Sequence, residues 1–246
     1  MDIDEQTALV AGGAHGLGAL AARHLSDIGA DVTILDQDGA TARHLAAEIS
    51  GYSQACNLAE AESVAVGVTA AMARFGQAPR IIVNCAHTPG PQRLLDPDLD
   101  VHADAFRQAV EHNLIGAYHL MAYGGQAMAN LPRLANGERG VIVNVTSLGA
   151  GIDTTCRAVS DLGQLAATEY LSRGIRMVTL EAGRFLSPLG QSEDPIMTQG
   201  LLAELPFERQ LGQAHQFTDM LESILKNPFL NGAVVRLDGG ISTAGT

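Results

Sequence analysis

With 246 residues, 46% of them hydrophobic, the chain carries enough apolar surface to bury one sizeable core, so a single domain covering residues 1–246 is expected. A formal net charge of -12 argues against binding to nucleic acid or to an anionic membrane through overall charge, and leaves a small molecule as the expected partner. The opening MDIDEQTALVAGG is acidic where a secretion signal is basic, and no apolar run approaches the ~20 residues of a membrane span, so a soluble, cytoplasmic chain is expected.

In chain order, TALVAGG reads as a buried strand, LGALAARHLSDIG places apolar residues at helical spacing, and DVTILD returns to a β-branched strand, which together make a βαβ unit. SVAVGVTAAMARFG follows as a helix, IIVNCA as a strand, and ADAFRQAVEHNLIGAYHLMAYGGQAMANL as a long helical stretch before the strand GVIVNVTS. Next come a helix around AVSDLGQLAATEYLSR and the strand IRMVTLEAG. A looser stretch rich in Gly, Pro and Ser runs from Phe185 to Gly200, then helical pieces lead to Lys226 and a last strand, AVVRLDGG. Repeated alternation of this kind predicts an α/β fold of three layers, a doubly wound parallel sheet with helices on both faces. Residues Leu186 to Gly200 fall where such a sheet carries a loop over its ligand crevice, as a lid or as an ordinary surface connection.

Gly12, Gly16 and Gly18 lie between the first strand and the first helix, and Asp36 closes the second strand. Glycines let the backbone turn tightly and approach a pyrophosphate, the helix start offers unpaired N–H groups, and a carboxylate after the second strand can hold ribose hydroxyls. This setting predicts a Rossmann dinucleotide site. Asp36 would repel a 2′-phosphate and no Arg or Lys follows it in DQDGA, so the expected cofactor is NAD. His15, inside the glycine loop, either lends positive charge near the phosphates or is a solvated loop histidine. Cys56, Cys85 and Cys156 are widely spaced, with no paired Cys/His spacing of a zinc site; reduced thiols and no metal are expected. Lys226 is the only lysine.

The glycine pattern, VNCA, HNLIGAYHL, IVNVTS and NGAVVRLDGG together resemble the short-chain dehydrogenase/reductase family along the whole chain. Within that family, GIRMVTLEAG, ELPFERQLG and KNPFLNGAVVRLDGG are most similar to the type-2 3-hydroxyacyl-CoA dehydrogenases, also called 17β-hydroxysteroid dehydrogenases type 10. The resemblance implies that Asn113 holds a proton-relay water and that Ser147 steadies the substrate oxygen. It also implies that Asn57 and Leu58 contact the adenine and that Asn84 and Ala86 belong to the cofactor-binding motif after the fourth strand. His87 replaces the glycine that ends that motif, and Ala182 replaces a proline after the sixth strand.

The family's tyrosine follows its serine by thirteen positions and its lysine follows four later, so an ungapped count from Ser147 reaches Ser160 and then Gln164. A phenol titrates near ~10, within reach of a neighbouring ammonium, whereas a serine hydroxyl is far less acidic and glutamine is uncharged. Losing general acid–base catalysis costs about 10² to 10⁴ in rate, roughly 3 to 5 kcal/mol of barrier. Arg157 either supplies the missing charge or is a solvated or salt-bridged arginine, His87 either shuttles protons or plugs the cofactor pocket, and Tyr170 is expected to pack away from the active face. On this count Ser160→Tyr with Gln164→Lys is expected to install the missing pair.

Three functions stay open. One is a slow or non-standard NAD-dependent oxidoreductase on a 3-hydroxyacyl-CoA-like or hydroxysteroid-like substrate. Another is a non-catalytic subunit pairing with an active paralogue, since the resemblance implies tetramers, homomeric or heteromeric. The third is a dehydratase or isomerase reusing the fold.

Overall fold

The computed structural model describes residues 1–88, 99–147, 154–186 and 211–240. Seven parallel strands form one sheet: β1 (Thr7–Ala11), β2 (Asp31–Asp36), β3 (Tyr52–Ala55), β4 (Ile81–Asn84), β5 (Gly140–Ser147), β6 (Ile175–Ala182) and β7 (Ala233–Leu237), in the order β3-β2-β1-β4-β5-β6-β7. The central strands are buried on both faces, which is why GVIVNVTS and IRMVTLEA read as near-continuous apolar runs. Strand β3, YSQA, sits at the sheet edge, is only partly buried, and carries no alternation that the sequence could display.

On one face pack α1 (Gly16–Asp27), α2 (Gly39–Glu48) and α7 (Ala214–Lys226); on the other pack α3 (Ala61–Phe75), α5 (Gly116–Met128) and α6 (Thr154–Tyr170). Small residues set the spacing. Ala21, Ala22 and Leu25 of α1 and Phe217, Leu221, Ile224 and Leu225 of α7 fill the first core, while Val64, Val68 and Ala71 of α3 and Leu120 and Met128 of α5 fill the second. Helix α2 and strand β3, absent from the periodicity reading, complete the second crossover. The predicted long helix is α4 (Leu99–Ala109) running into α5 through a π-helical turn, Val110–Ile115.

Among the described residues Glu138 is the centre of two buried ion pairs, one with the Met1 ammonium at 3.6 Å and one with Arg176. Arg176 on β6 donates from Nε to Glu138 Oε1 at 2.7 Å, and its NH1 and NH2 groups donate to Ile224 O, Leu225 O and Leu230 O. Carbonyls at the end of α7 that lack helical partners are thereby satisfied, and the helix is tied to the sheet. Among the described residues no helix is long and apolar enough to cross a membrane. Residues 187–200, most of the predicted lid, and the segment 201–210 lie outside the described residues.

Candidate active site

Strand order reverses direction between β1 and β4, and a crevice opens there at the carboxyl ends of the strands. It holds a cavity of about 460 Å³, within the range of small-molecule sites. Its lining begins at Gly12, Gly16, Gly18, Asp36, Gln37 and Leu58, and continues through Ala86, His87 and Thr88 to Thr146, Ser147, Ala182 and Gly183.

The glycine loop is shaped by backbone contact. Gly12 has φ 68° and its absent Cβ would stand 2.5 Å from Ala86 N; a Cβ on Gly18 would collide with Gly12 O. Gly16, at φ 51°, faces open space. His15 caps α1 without a side-chain cap bond, and α1 has no acidic residue in its first turn, so the helix start is suited to an anion. Asp36 accepts from Ala14 N at Oδ2 and from Asp38 N at Oδ1, each at 2.9 Å. Each carboxylate oxygen keeps a lone pair, and the group is held at the loop by two backbone donors. A cradle that excludes side chains, an uncapped helix start and a fixed carboxylate fit a dinucleotide.

The neighbouring motif residues divide into lining and support. Leu58 lines the cavity and its carbonyl accepts from His119 Nδ1 at 2.9 Å. Asn57 is not among the lining residues: its Oδ1 accepts from Gln37 Nε2 (2.8 Å) and Ala59 N (3.2 Å), and its Nδ2 donates to Glu60 Oε1 (2.8 Å). The Asn57 amide is thus engaged by Gln37, twenty residues earlier in the chain, and by its own turn. Asn84 is buried, donates to Asn144 Oδ1 at 3.2 Å and accepts from Ala86 N at 3.3 Å; it shapes the turn that brings Ala86 and His87 to the cavity.

Asn113 lies in the π-helical turn and is 4% exposed. Its Oδ1 accepts from Thr88 N at 2.7 Å; its Nδ2 donates to Thr88 O at 2.8 Å and to Thr155 Oγ1 at 3.0 Å. Both amide hydrogens are committed, so the side chain braces the β4 loop and α6. π-Turns recur where a helix is deformed for such a purpose.

Ser147 lines the cavity as expected. Beside it Thr146, also lining, has a buried hydroxyl with no hydrogen-bond partner among the described residues. His87 lines the same end, its Nδ1 4.0 Å from Cys156 Sγ. Cys85 lines the cavity too, and burial pushes its thiol up to about 12, well away from thiolate chemistry.

Ser160 and Gln164 are not brought to this cavity. Ser160 is buried against the sheet; its Oγ donates back to Cys156 O at 3.1 Å and lies 3.4 Å from Glu181 Oε1. Gln164 borders a separate surface depression with Asp161 and Asn231. The count from Ser147 passes through 148–153, outside the described residues, and α6 then fixes the phase: Thr155 and Cys156, one turn before Ser160, are the α6 residues bonded toward Asn113 and His87. Arg157 is exposed and is not among the lining residues. All four tyrosines, Tyr52, Tyr118, Tyr123 and Tyr170, and the single lysine lie among the described residues, and none lines the cavity. Tyr170 OH donates to Met121 O at 3.0 Å, as a packing residue, and Lys226 pairs with Glu222 on α7.

A parallel sheet of this order, with its glycine loop against the β4 turn and Ser147 ending β5, defines a Rossmann fold of the short-chain dehydrogenase type. The chain belongs to the short-chain dehydrogenase/reductase family: residues 12–242 match the family model described as Enoyl-(Acyl carrier protein) reductase. It is 29% identical over 246 residues to 3-hydroxyacyl-CoA dehydrogenase type-2 of Rattus norvegicus, covering 95% of this chain and 94% of that protein. The crystal structure of 3-hydroxyacyl-CoA dehydrogenase type-2 from Mycobacterium avium superposes with a TM-score of 0.85 at 28% identity, over 97% of each chain. The fold is shared with 3-ketoacyl-(acyl-carrier-protein) reductase from Brucella melitensis complexed with NADH, at a TM-score of 0.79 and 24% identity over 98% of this chain and 99% of that one.

Proposed function

We propose that this chain binds NAD(H) in the cavity and is a slow, non-standard oxidoreductase of its family, acting on a 3-hydroxyacyl-CoA-like or hydroxysteroid-like alcohol. The observation that carries the cofactor half is Asp36, whose carboxylate is fixed by Ala14 and Asp38 at the place where ribose hydroxyls would approach the glycine loop. Bound nicotinamide would supply two-electron exchange with the substrate carbon. The chain's own residues then hold the substrate oxygen with Ser147 and Thr146 and manage its proton with His87, the titratable side chain at that end. Slow turnover follows from the lining itself, which contains neither a phenol nor an ammonium group. The 3-hydroxyacyl-CoA-like half of the substrate class rests on the similarity to the rat 3-hydroxyacyl-CoA dehydrogenase type-2, and the hydroxysteroid-like half on the family resemblance of the sequence. Titration calorimetry with NADH and with NADPH, followed by turnover of 3-hydroxyacyl-CoA thioesters, tests both halves: binding without turnover removes the oxidoreductase reading and keeps the cofactor one.

A second reading, a subunit assembled with copies of itself or with an active paralogue, is favoured by the outer surfaces of α5 and α6. Tyr118 is 56% exposed, Leu165 71%, and Leu171, in the turn after α6, 66%. Light scattering on the purified chain distinguishes tetramer from monomer, and co-expression with a paralogue carrying tyrosine and lysine tests mixed assembly.

A further inference from the structure

One carboxylate lines the cavity and a second reaches it through His15. Asp36 lines it; Asp38 stands two residues on, capping α2. Asp38 Oδ1 accepts from Thr41 N at 3.1 Å, and Oδ2 accepts from Thr41 Oγ1 at 2.6 Å. Oδ2 also lies 3.0 Å from Nε2 of His15, which lines the cavity from the glycine loop. The Thr41 bonds, with the help of His15, bring the Asp38 carboxyl down to about 2, so it is ionised at ordinary pH.

An ionised carboxylate only accepts, and therefore the proton of the shared bond sits on His15 Nε2. The neutral ring keeps its lone pair on Nδ1, which repels an anion. The protonated ring has its charge matched by Asp38. Either way His15 is a poor counter-ion for an added phosphate. Among the described residues the lining contains no arginine or lysine to take its place. The nearest arginine on α2, Arg43, has a guanidinium nitrogen 3.8 Å from the position of a Cβ on Gly39 and is not a lining residue.

We infer that Asp38, through its hold on His15, is a second cofactor-selecting residue, which excludes the 2′-phosphate of NADP independently of Asp36. The inference rests on the dinucleotide reading of the cavity. It adds one residue pair to that reading: a carboxylate held by a helix cap and a histidine held by the carboxylate.

The test is titration calorimetry with NADH and NADPH on four proteins: wild type, Asp38→Asn, His15→Gln and the double variant. Asparagine caps a helix as well as aspartate, so the α2 start is kept, and Asp38→Ser serves in its place should Asp38→Asn fail to fold. Removing the charge that holds His15, and so releasing a lining residue, is expected to narrow the NADH-to-NADPH affinity ratio on the order of tenfold, through tighter NADPH binding. His15→Gln alone should leave the ratio within about twofold, and the double variant should lose part of the Asp38→Asn gain, the non-additivity expected of coupled neighbours. An unchanged ratio in Asp38→Asn overturns the inference, as does a double variant that keeps the whole gain. A wild-type protein that binds neither dinucleotide overturns the underlying reading instead.

Discussion

The Asp36 carboxylate and the Ala14 amide, 22 positions apart in sequence, meet at 2.9 Å and lock the end of β2 to the glycine loop. The bond makes Asp36 both a ligand group and a structural clamp, so its removal is felt twice. Asp36→Ala is expected to weaken NADH binding about 10- to 100-fold, the range of a lost hydrogen bond to a charged group, with the Ala14 N–H left unpaired. Calorimetric titration of the variant reads this directly. Unchanged NADH affinity would place the ribose elsewhere.

The geometry reverses one expectation from the sequence. Ser160 is packed between Cys156 O and Glu181, and Gln164 borders a different surface. Ser160→Tyr with Gln164→Lys should therefore give no dehydrogenase activity, and Ser160→Tyr alone should destabilise the fold by about 1–3 kcal/mol by overpacking. Denaturant unfolding and an NADH-linked assay on an alcohol panel check the two parts. A stable, active double variant would restore the original count.

Removing Arg176 leaves the buried Glu138 with the Met1 ammonium as its remaining cation, and takes a donor from Ile224 O, Leu225 O and Leu230 O, of which Leu225 O keeps the Met1 ammonium. Arg176→Ala is expected to destabilise by about 3 kcal/mol, the low end for a broken buried pair because the Met1 ammonium still faces Glu138, measured as a drop in the urea midpoint. NADH binding by the folded fraction should be unaffected, since Arg176 is not among the residues lining the cavity.

Asp38 gives a pH signature. Its carboxyl is lowered from the ordinary 3.8 to about 2 by the Thr41 bonds and then by His15. A carboxyl depressed by folding stabilises the native state above its unfolded value, and this contribution is lost as pH falls from about 4 to about 2. The stability difference between wild type and Asp38→Asn should shrink across that window when unfolding is followed at stepped acid pH. A difference that stays constant would mean the Thr41 bonds do not depend on the charge.

How far the sequence carried depends on whether a feature is local. Gly12, Gly18 and Asp36 were legible because tight backbone approach and a strand-ending carboxylate impose residue types at fixed spacing. The buried strands β5 and β6 were legible from unbroken apolar runs. Strand β3 was not, since an edge strand of YSQA is specified by its pairing with β2 and not by its own pattern. The bond between Gln37 and Asn57 was not legible, since only folding brings β2 and the β3 turn together. Ser160 and Gln164 failed for a related reason: a count along the chain cannot supply the rotational phase of α6. Cys156 had no motif to announce it and came into view only beside His87.

The three hydrogen bonds of Asn113 join the β4 loop, the π-turn and α6 at one amide. They also make the Thr88 N–H a natural reporter. Its exchange with solvent deuterium requires the brace to open, so its protection should measure how often the substrate end of the cavity comes apart, and bound dinucleotide should slow that exchange. Asn113→Ala should speed exchange at Thr88 while leaving the amides of the central strands as protected as before. The result would mark this corner as a separately opening unit within an otherwise cooperative sheet.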